Sequence, residues 1–156
     1  MRQAILMCRI FLESGKSSDS NSYIDFTCEV TLFDEDRFSM VVLGNFNVSA
    51  AAHPINIFRT LNIEPRSCST VKFSDLYDVE RVAPAVDKCA KEQLSKPIYD
   101  YIISCGGISY FLNEIDSSDE NLCSSASCKD RLIISFMIPH ALGDHAEISI
   151  PVSALT

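Results

Sequence analysis

The chain has 156 residues, of which 47% are hydrophobic and 22% charged, a composition typical of a folded protein and unlike that of a disordered one. Its 13 Lys and Arg against 21 Asp and Glu give a formal net charge of −8 at pH 7. That balance argues against binding to a nucleic-acid backbone, and no apolar run reaches the roughly 20 residues that span a membrane. We therefore expect a single globular domain, residues 1–156, without nucleic-acid or membrane partners.

The N-terminal residues do not form a secretory signal, because Arg9 interrupts the apolar run that begins at Ala4 after five residues. Seven cysteines, an odd number, are scattered through largely apolar stretches. In a reducing compartment such thiols behave as small buried side chains. The sequence therefore predicts a cytoplasmic protein.

Alternating apolar and polar residues predict an antiparallel hairpin early in the chain. After an apolar run of strand length over residues 4–12, polar residues alternate with five apolar ones, Ile24, Phe26, Cys28, Val30 and Leu32. A period of two residues indicates one buried and one solvated strand face. Residues 34–37 then turn the chain, and a second strand returns over residues 38–48. Residues 57–63 fit either a helical turn or a strand, and residues 70–77 predict another short strand.

A dominant helix is predicted further along, where apolar residues keep helical spacing from Val86 to Cys105. Pro84 suits the first turn of this helix, and the Gly-Gly pair after Cys105 can end it in the left-handed conformation. Pro97 lies inside the same register, so either one helix kinks there or two short helices abut.

Further alternation predicts three strands toward the C-terminus, over residues 108–112, 132–138 and 148–152, with a long polar loop over residues 116–130. Pro151 has no N–H to donate, so the last strand should lie at a sheet edge. Together these elements predict an α+β fold. It consists of a mainly antiparallel sheet of five to seven strands, with one dominant, Pro-kinked helix packed on one face.

Four residues have a spacing close to that of a zinc finger: Cys123-x4-Cys128-x11-His140-x4-His145. Two thiolates and two imidazoles are ligands that tetrahedral zinc prefers. However, Pro139 and Gly143 disfavour the helix on which a finger carries its histidines, and the residues between the two pairs predict a strand. We therefore expect no metal, with a zinc site at these four residues as the alternative.

Cys105 invites comparison with a catalytic thiol that uses His140 or His145 and Asp144 as partners. A nucleophilic thiol needs a lowered pKa, whereas the negative dipole at the C-terminal end of a helix raises it. The chain also lacks a Gly-rich phosphate loop, a Gly-x-Ser-x-Gly elbow and a His-Glu-x-x-His motif. The sequence thus predicts a protein that is not an enzyme and needs no cofactor.

Acidic residues concentrate in two segments. The first surrounds residues 34–36, and the second lies between Lys96 and Lys129, a stretch that contains no Lys or Arg. Either segment can be a solvated face that aids solubility. The functional interpretation is an anionic surface that masks a basic surface of a partner protein, as an inhibitor, immunity or anti-defence protein does. The predicted contact residues are Asp34, Glu35, Asp36, Glu114, Asp116, Asp119 and Glu120.

The strand pattern also resembles that of SecB-type export chaperones. The similarity rests on residues 9–12, 26–32 and 38–48 and on the helix that ends at residues 99–107. The resemblance implies a four-stranded antiparallel sheet with helices, assembled into tetramers that hold unfolded clients. This chain departs from the family because it ends in a strand pair instead of a second helix and lacks the family's proline-rich segment. A SecB-like holdase and an unrecognised enzyme are the two alternatives to the protein-binding function.

Overall fold

The computed structural model describes residues 22–48, 51, 53–117 and 122–155, and the strand predicted at residues 4–12 lies outside them. The described strands form two antiparallel sheets. The first sheet contains, in spatial order, β1 (Tyr23–Phe33), β2 (Phe38–Asn47), β3 (Ile55–Glu64) and β4 (Ser69–Thr70). The second contains β5 (Cys123–Ser127), β6 (Arg131–Met137) and β7 (His145–Pro151). Between the sheets in chain order come the helices α1 (Phe73–Leu76), α2 (Val79–Gln93), α3 (Lys96–Ser104) and α4 (Gly107–Asn113).

The β1–β2 hairpin follows the alternation read from the sequence. Cys28 pairs with Val42, so the apolar phases of the two strands share one face. A bulge between Val30 and Leu32 shifts the register shortly before the turn. Residues 57–63, which fit either a helical turn or a strand, belong to β3 and pair with β2.

The main hydrophobic core lies between the helices and one face of the second sheet. Ile134 and Phe136 of β6 are fully buried there, as are Val86 of α2 and Ile102 of α3. Alternation along β6 sends every second side chain toward the helices. Burial of each large apolar side chain stabilises the fold by about 1.5–3 kcal/mol, so this core is the main source of stability.

The first sheet covers the opposite face of the second sheet. Val41 and Phe58 contact Ala126 of β5 in a small cluster that is separate from the main core. The Asn62 side chain also donates from Nδ2 to the Ser125 backbone oxygen at 2.7 Å. The layers are therefore the helices, the second sheet and the first sheet, in that order.

The α+β class and the antiparallel pairing are confirmed, but the predicted single sheet is divided into two. The helices separate β4 from β5 along the chain, and among the described strands the last three pair only with one another. Nor is there one kinked helix, because α2 ends at Gln93 and α3 begins at Lys96, which places Pro97 in the first turn of a new helix. Pro84 lies inside α2 instead of at its start, since Asp78 caps that helix earlier in the chain.

Several shorter segments also differ from the prediction. Residues 108–112 form part of α4, and residues 73–76 form α1 instead of continuing a strand. The polar loop predicted over residues 116–130 contains β5, whose small side chains fit at the contact with the first sheet. Val30, predicted to be in the core, is 55% exposed. Pro151 does lie on an edge strand, as predicted.

Candidate protein-binding site

The first acidic segment forms the turn between β1 and β2, and we call residues 33–37 the hairpin tip. Asp34 orders this turn, because its Oδ1 accepts hydrogen bonds from the N–H groups of Asp36 at 3.0 Å and of Arg37 at 2.7 Å. The N–H of Asp34 in turn donates to the Arg37 oxygen at 2.9 Å. An aspartate that bonds its own backbone in this way fixes the turn conformation. Asp34 therefore shapes the tip.

Glu35 and Asp36 extend into solvent from this ordered turn, with side chains 89% and 80% exposed. Arg66, from the turn between β3 and β4, places its Nη2 3.4 Å from Glu35 Oε2 and 3.7 Å from Asp36 Oδ1. Because the Arg66 side chain is itself 69% exposed, these pairs contribute only about 0–1 kcal/mol. Both carboxylates can therefore exchange Arg66 for a cationic group that binds them more strongly.

Phe33 adds a large apolar group to the tip. It is 75% exposed and meets Phe38 edge to face, with the ring centroids 6.1 Å apart. Sequence reasoning missed Phe33 because it stands one place out of the alternation that ends at Leu32. The available signal was a phenylalanine on each side of the acidic turn, since aromatic residues are enriched at protein interfaces.

The second acidic segment is engaged in holding the fold together. The Asp116 carboxylate accepts hydrogen bonds from the backbone N–H of Phe73 at 2.7 Å and of Ser74 at 2.9 Å. These N–H groups begin α1 and have no acceptor within the helix, so Asp116 fixes the helix start from a distant part of the chain. Glu114 is half-buried where α4 ends. The remaining predicted contacts, Asp119 and Glu120, lie outside the described residues.

The structure does not bring together the four residues of the zinc-finger pattern. Cys123 begins β5 and Cys128 directly follows its end, so the two are roughly 17 Å apart along an extended chain. Cys123 is buried in the main core, and this burial raises the pKa of its thiol. Within the part of the chain that the structure describes, no group of three or more His, Cys, Asp or Glu residues could hold a metal ion.

The Cys–His arrangement that sequence reasoning considered and disfavoured is not formed by the described contacts. Cys105 is the residue that caps the C-terminal end of α3. Its side chain forms a hydrogen bond with Tyr101, and this bond raises the pKa of the tyrosine. The two histidines contact acids instead: His140 Nδ1 lies 2.7 Å from Asp144 Oδ1, and His145 Nδ1 contacts Glu147 Oε1.

Asp144 is the centre of a polar cluster that joins the two sheets. Its Oδ2 accepts a hydrogen bond from the N–H of Asn56 at 2.8 Å, and Asn56 Nδ2 donates to the Gly143 oxygen at 3.2 Å. Burial alone would raise the pKa of Asp144. The Asn56 N–H, the hydrogen bond and charge of His140 and the charge of His145 outweigh burial, so the pKa lies below its ordinary value. This cluster fixes the start of β7 against β3.

Comparison with known proteins identifies the fold. No family model matches the sequence, and no curated protein is significantly similar to it. A crystal structure of a DUF3298 family protein from Pseudomonas aeruginosa PAO1 superimposes with a TM-score of 0.51 at 14% identity, covering 96% of this chain and 66% of that one. A crystal structure of a DUF3298 family member from Bacteroides fragilis gives 0.55 at 17% identity, covering 97% and 60%.

These similarities concern the fold, because the sequence identities are low. The chain spans about two thirds of the length of the first of these proteins and less of the second. Among the described helices, none is both long enough and apolar enough to cross a membrane. The two superpositions therefore show that this chain shares the fold of the matched parts of these DUF3298 proteins.

Proposed function

We propose that this is a small, acidic, non-enzymatic protein-binding protein of the inhibitor, immunity or anti-defence type, which masks a basic surface of its partner. The observation that carries the proposal is the exposure of Glu35 and Asp36, 89% and 80%, on a turn that Asp34 already orders. We place its action in the cytoplasm, where the free thiols of the described cysteines remain reduced.

An ordered tip suits this function for an energetic reason. Binding costs free energy when side chains and loops must be ordered, and a turn that is already fixed avoids much of that cost. The net charge of −8 steers a cationic partner toward the molecule, and the tip carboxylates pair with its Lys or Arg side chains. The Arg66 contacts are exposed and weak, so exchanging them for partner contacts costs little.

Phe33 gives the tip an apolar anchor. A purely charged surface steers a partner but gains little affinity, whereas a buried aromatic ring supplies much of the binding energy at a typical interface. The partner surface that matches the tip is therefore an apolar pocket bordered by Lys or Arg. Because Asp116 is committed to the start of α1, we expect the hairpin tip to contribute more to binding than the second acidic segment.

The test is capture of partners from the native source, followed by affinity measurements with the purified partner. We expect one dominant basic partner, bound at fixed stoichiometry and more weakly as salt is added. E35K/D36K should weaken binding at least tenfold, and F33A by about tenfold. E80K/E92K provides the matched charge control, because Glu80 and Glu92 are exposed acids on α2 and this variant changes the net charge by the same amount, and it should bind like the wild type. Equal binding by wild type and E35K/D36K would refute the tip mechanism.

A holdase function is the second candidate, and one observation favours it. The face of the first sheet that is turned away from the second sheet has buried apolar residues at its centre, such as Met40 and Leu61, and exposed ones at its margins, including Val30 at 55% and Ile55 at 46%. Exposed apolar surface can bind unfolded chains. A holdase would suppress the aggregation of a heat-unfolded enzyme with little salt dependence, and V30D would reduce that suppression. Absence of suppression at equimolar protein removes this candidate.

A further inference from the structure

Among the described strands, none lies beside most of the outer edge of β3. β4 pairs only with Ile63 and Glu64, and the next contact along the edge is the Val71 N–H, which donates to the Asn62 oxygen at 3.0 Å. At the other end of β3, the Asn56 N–H is taken by Asp144. In an antiparallel strand, both backbone groups of every second residue point to the same edge. The outward groups between these two ends are therefore those of Phe58 and Thr60.

The backbone N–H groups of Phe58 and Thr60 have no hydrogen-bond partner among the described residues. Two cavities, of about 300 and 190 Å³, lie along this edge, one toward α1 and the other toward Asp144. Arg59 and Ser124 line both cavities, so the two cavities meet at these residues, and we call the pair of cavities the groove. The open part of the edge, from Asn56 to Asn62, is about 20 Å long, which is enough for a short extended peptide.

A charged side chain, that of Arg59, lies where the two cavities meet. It is half-buried, and removal from water lowers the pKa of its guanidinium. Its Nη1 donates to the Phe58 backbone oxygen at 3.0 Å, and no carboxylate of the described residues forms an ion pair with it. A guanidinium binds a carboxylate through two parallel, charge-assisted hydrogen bonds, which are stronger than one bond to a neutral carbonyl. Among the described residues, the Arg59 guanidinium in the groove therefore has a neutral carbonyl as its partner and no carboxylate.

We propose that the outer edge of β3 binds an extended peptide segment whose Asp or Glu side chain pairs with Arg59. The peptide backbone would accept hydrogen bonds from the N–H groups of Phe58 and Thr60, so that it adds a strand to the first sheet. Side chains on either side of the central acid would enter the two cavities. This site is separate from the hairpin tip and does not depend on the function proposed for it.

The other charged groups of the groove set the position of the acid. Lys72 and Asp116 lie toward one end, and Asp144 and His145 toward the other. Asp116 is bonded to the start of α1 and Asp144 to Asn56, so each end keeps a carboxylate that offsets the basic side chain beside it, Lys72 or His145. The peptide carboxylate is therefore directed to Arg59 in the middle, which fixes the register of the added strand.

The experiment uses the peptide acetyl-Thr-Val-Glu-Val-Thr-amide and the same peptide with Gln in place of Glu. In a nuclear magnetic resonance titration of the full chain, the Glu peptide should shift the amide signals of Phe58 and Thr60 and slow their hydrogen exchange. The Gln peptide should bind about tenfold more weakly, as expected for loss of a charge-assisted bond. R59Q should weaken binding of the Glu peptide by a similar factor and leave that of the Gln peptide unchanged.

Thr60 offers a matched pair of variants for the backbone contact. T60P removes the outward N–H and should abolish binding, whereas T60V keeps that N–H and should bind like the wild type. If T60P does not fold, the comparison of R59Q with the wild type for the two peptides tests the proposal on its own. Equal binding of the two peptides, or unchanged binding by R59Q, would overturn the proposal. It would also be overturned if R59Q caused self-association without affecting peptide binding, because Arg59 would then only protect the edge.

Discussion

At the scale of single residues, Asp144 shows how one carboxylate links the two sheets. It accepts the Asn56 N–H of β3 and contacts His140, whose short helical turn precedes β7. Its side chain is only 11% exposed, so solvent screens these interactions weakly. Asp144 also has a φ of 73°, a conformation that Asp and Asn tolerate better than most residues. Asp144→Asn therefore removes the charge while keeping the backbone conformation.

We predict that Asp144 makes stability depend on pH in the acid range. Its pKa is lower in the folded state than in the unfolded state, so the unfolded state binds more protons between the two values. The stabilisation is complete above the unfolded pKa of about 4 and is lost as the pH falls through the folded pKa. Urea unfolding should show D144N less stable than wild type by about 1 kcal/mol at pH 7, with the difference shrinking below pH 4. A constant difference from pH 7 to pH 3 would contradict this prediction.

The acidic residues also show the limit of sequence reasoning about the site. The contiguous acids at 34–36 are chemically alike in sequence, yet Asp34 bonds the backbone of its own turn while Glu35 and Asp36 face solvent. Asp116 likewise has a structural role, because it accepts a hydrogen bond from the first residue of α1, more than forty residues away in the chain. Local acidity predicted where negative charge accumulates. Which acids are structural depends on long-range contacts that no local pattern contains.

At the scale of elements, the prolines of α2 and α3 occupy different positions. Pro84 lies inside α2, where it removes one hydrogen bond of the helix, and its side chain is exposed. Pro97 lies in the first turn of α3, where its missing N–H has no intrahelical acceptor in any case. The same residue type should therefore have opposite consequences in the two helices.

We predict that P84A stabilises the protein and P97A does not. Restoring the helix-interior hydrogen bond and removing the ring clash gains up to about 3 kcal/mol, from which about 1 kcal/mol is lost because the unfolded chain becomes more flexible. P84A should thus raise the free energy of unfolding by about 1–2 kcal/mol in urea titrations, while P97A should leave it unchanged or slightly lower. If P84A lowers the free energy of unfolding, the packing of α2 requires the proline.

The elements that the sequence predicted correctly are those with long, regular patterns. β1 alternates from Ile24 to Leu32 within a strand of 11 residues, and β2 is an apolar-rich strand of 10 residues joined to it by a short turn, a pattern typical of a hairpin. Residues 108–112 alternate over too short a window, and their buried members Ile108, Phe111 and Leu112 fit helical spacing equally well. The prediction for β5 failed for another reason: its Cys-Ser-Ser-Ala-Ser sequence resembles a loop, whereas pairing with β6 and packing against the first sheet make it a strand. Whether a short polar segment forms a strand or a loop therefore depends on its tertiary contacts.

At the scale of the whole molecule, apolar burial is unevenly divided between the two sheets. One face of the second sheet and the helices share a core that includes fully buried Ile134, Phe136 and Ile150. The outward face of the first sheet carries a smaller apolar cluster around Met40 and Leu61. Sequence periodicity did not predict that the strands divide into two sheets. This division leaves most of the buried apolar side chains on the second sheet and fewer on the first.

Two isoleucines in strands of different sheets test this division. Ile134 of β6 is 0% exposed, whereas Ile55 of β3 is 46% exposed. I134A should lower the free energy of unfolding by about 3 kcal/mol, because it removes buried methyl groups and leaves a cavity. I55A should lower it by less than about 1 kcal/mol, since the side chain is already in contact with water and a residual space can fill with solvent. Both values come from urea unfolding followed by circular dichroism. Equal losses would mean that the outward face of the first sheet is as well packed as the core, and that the apolar surface assigned to a holdase is covered.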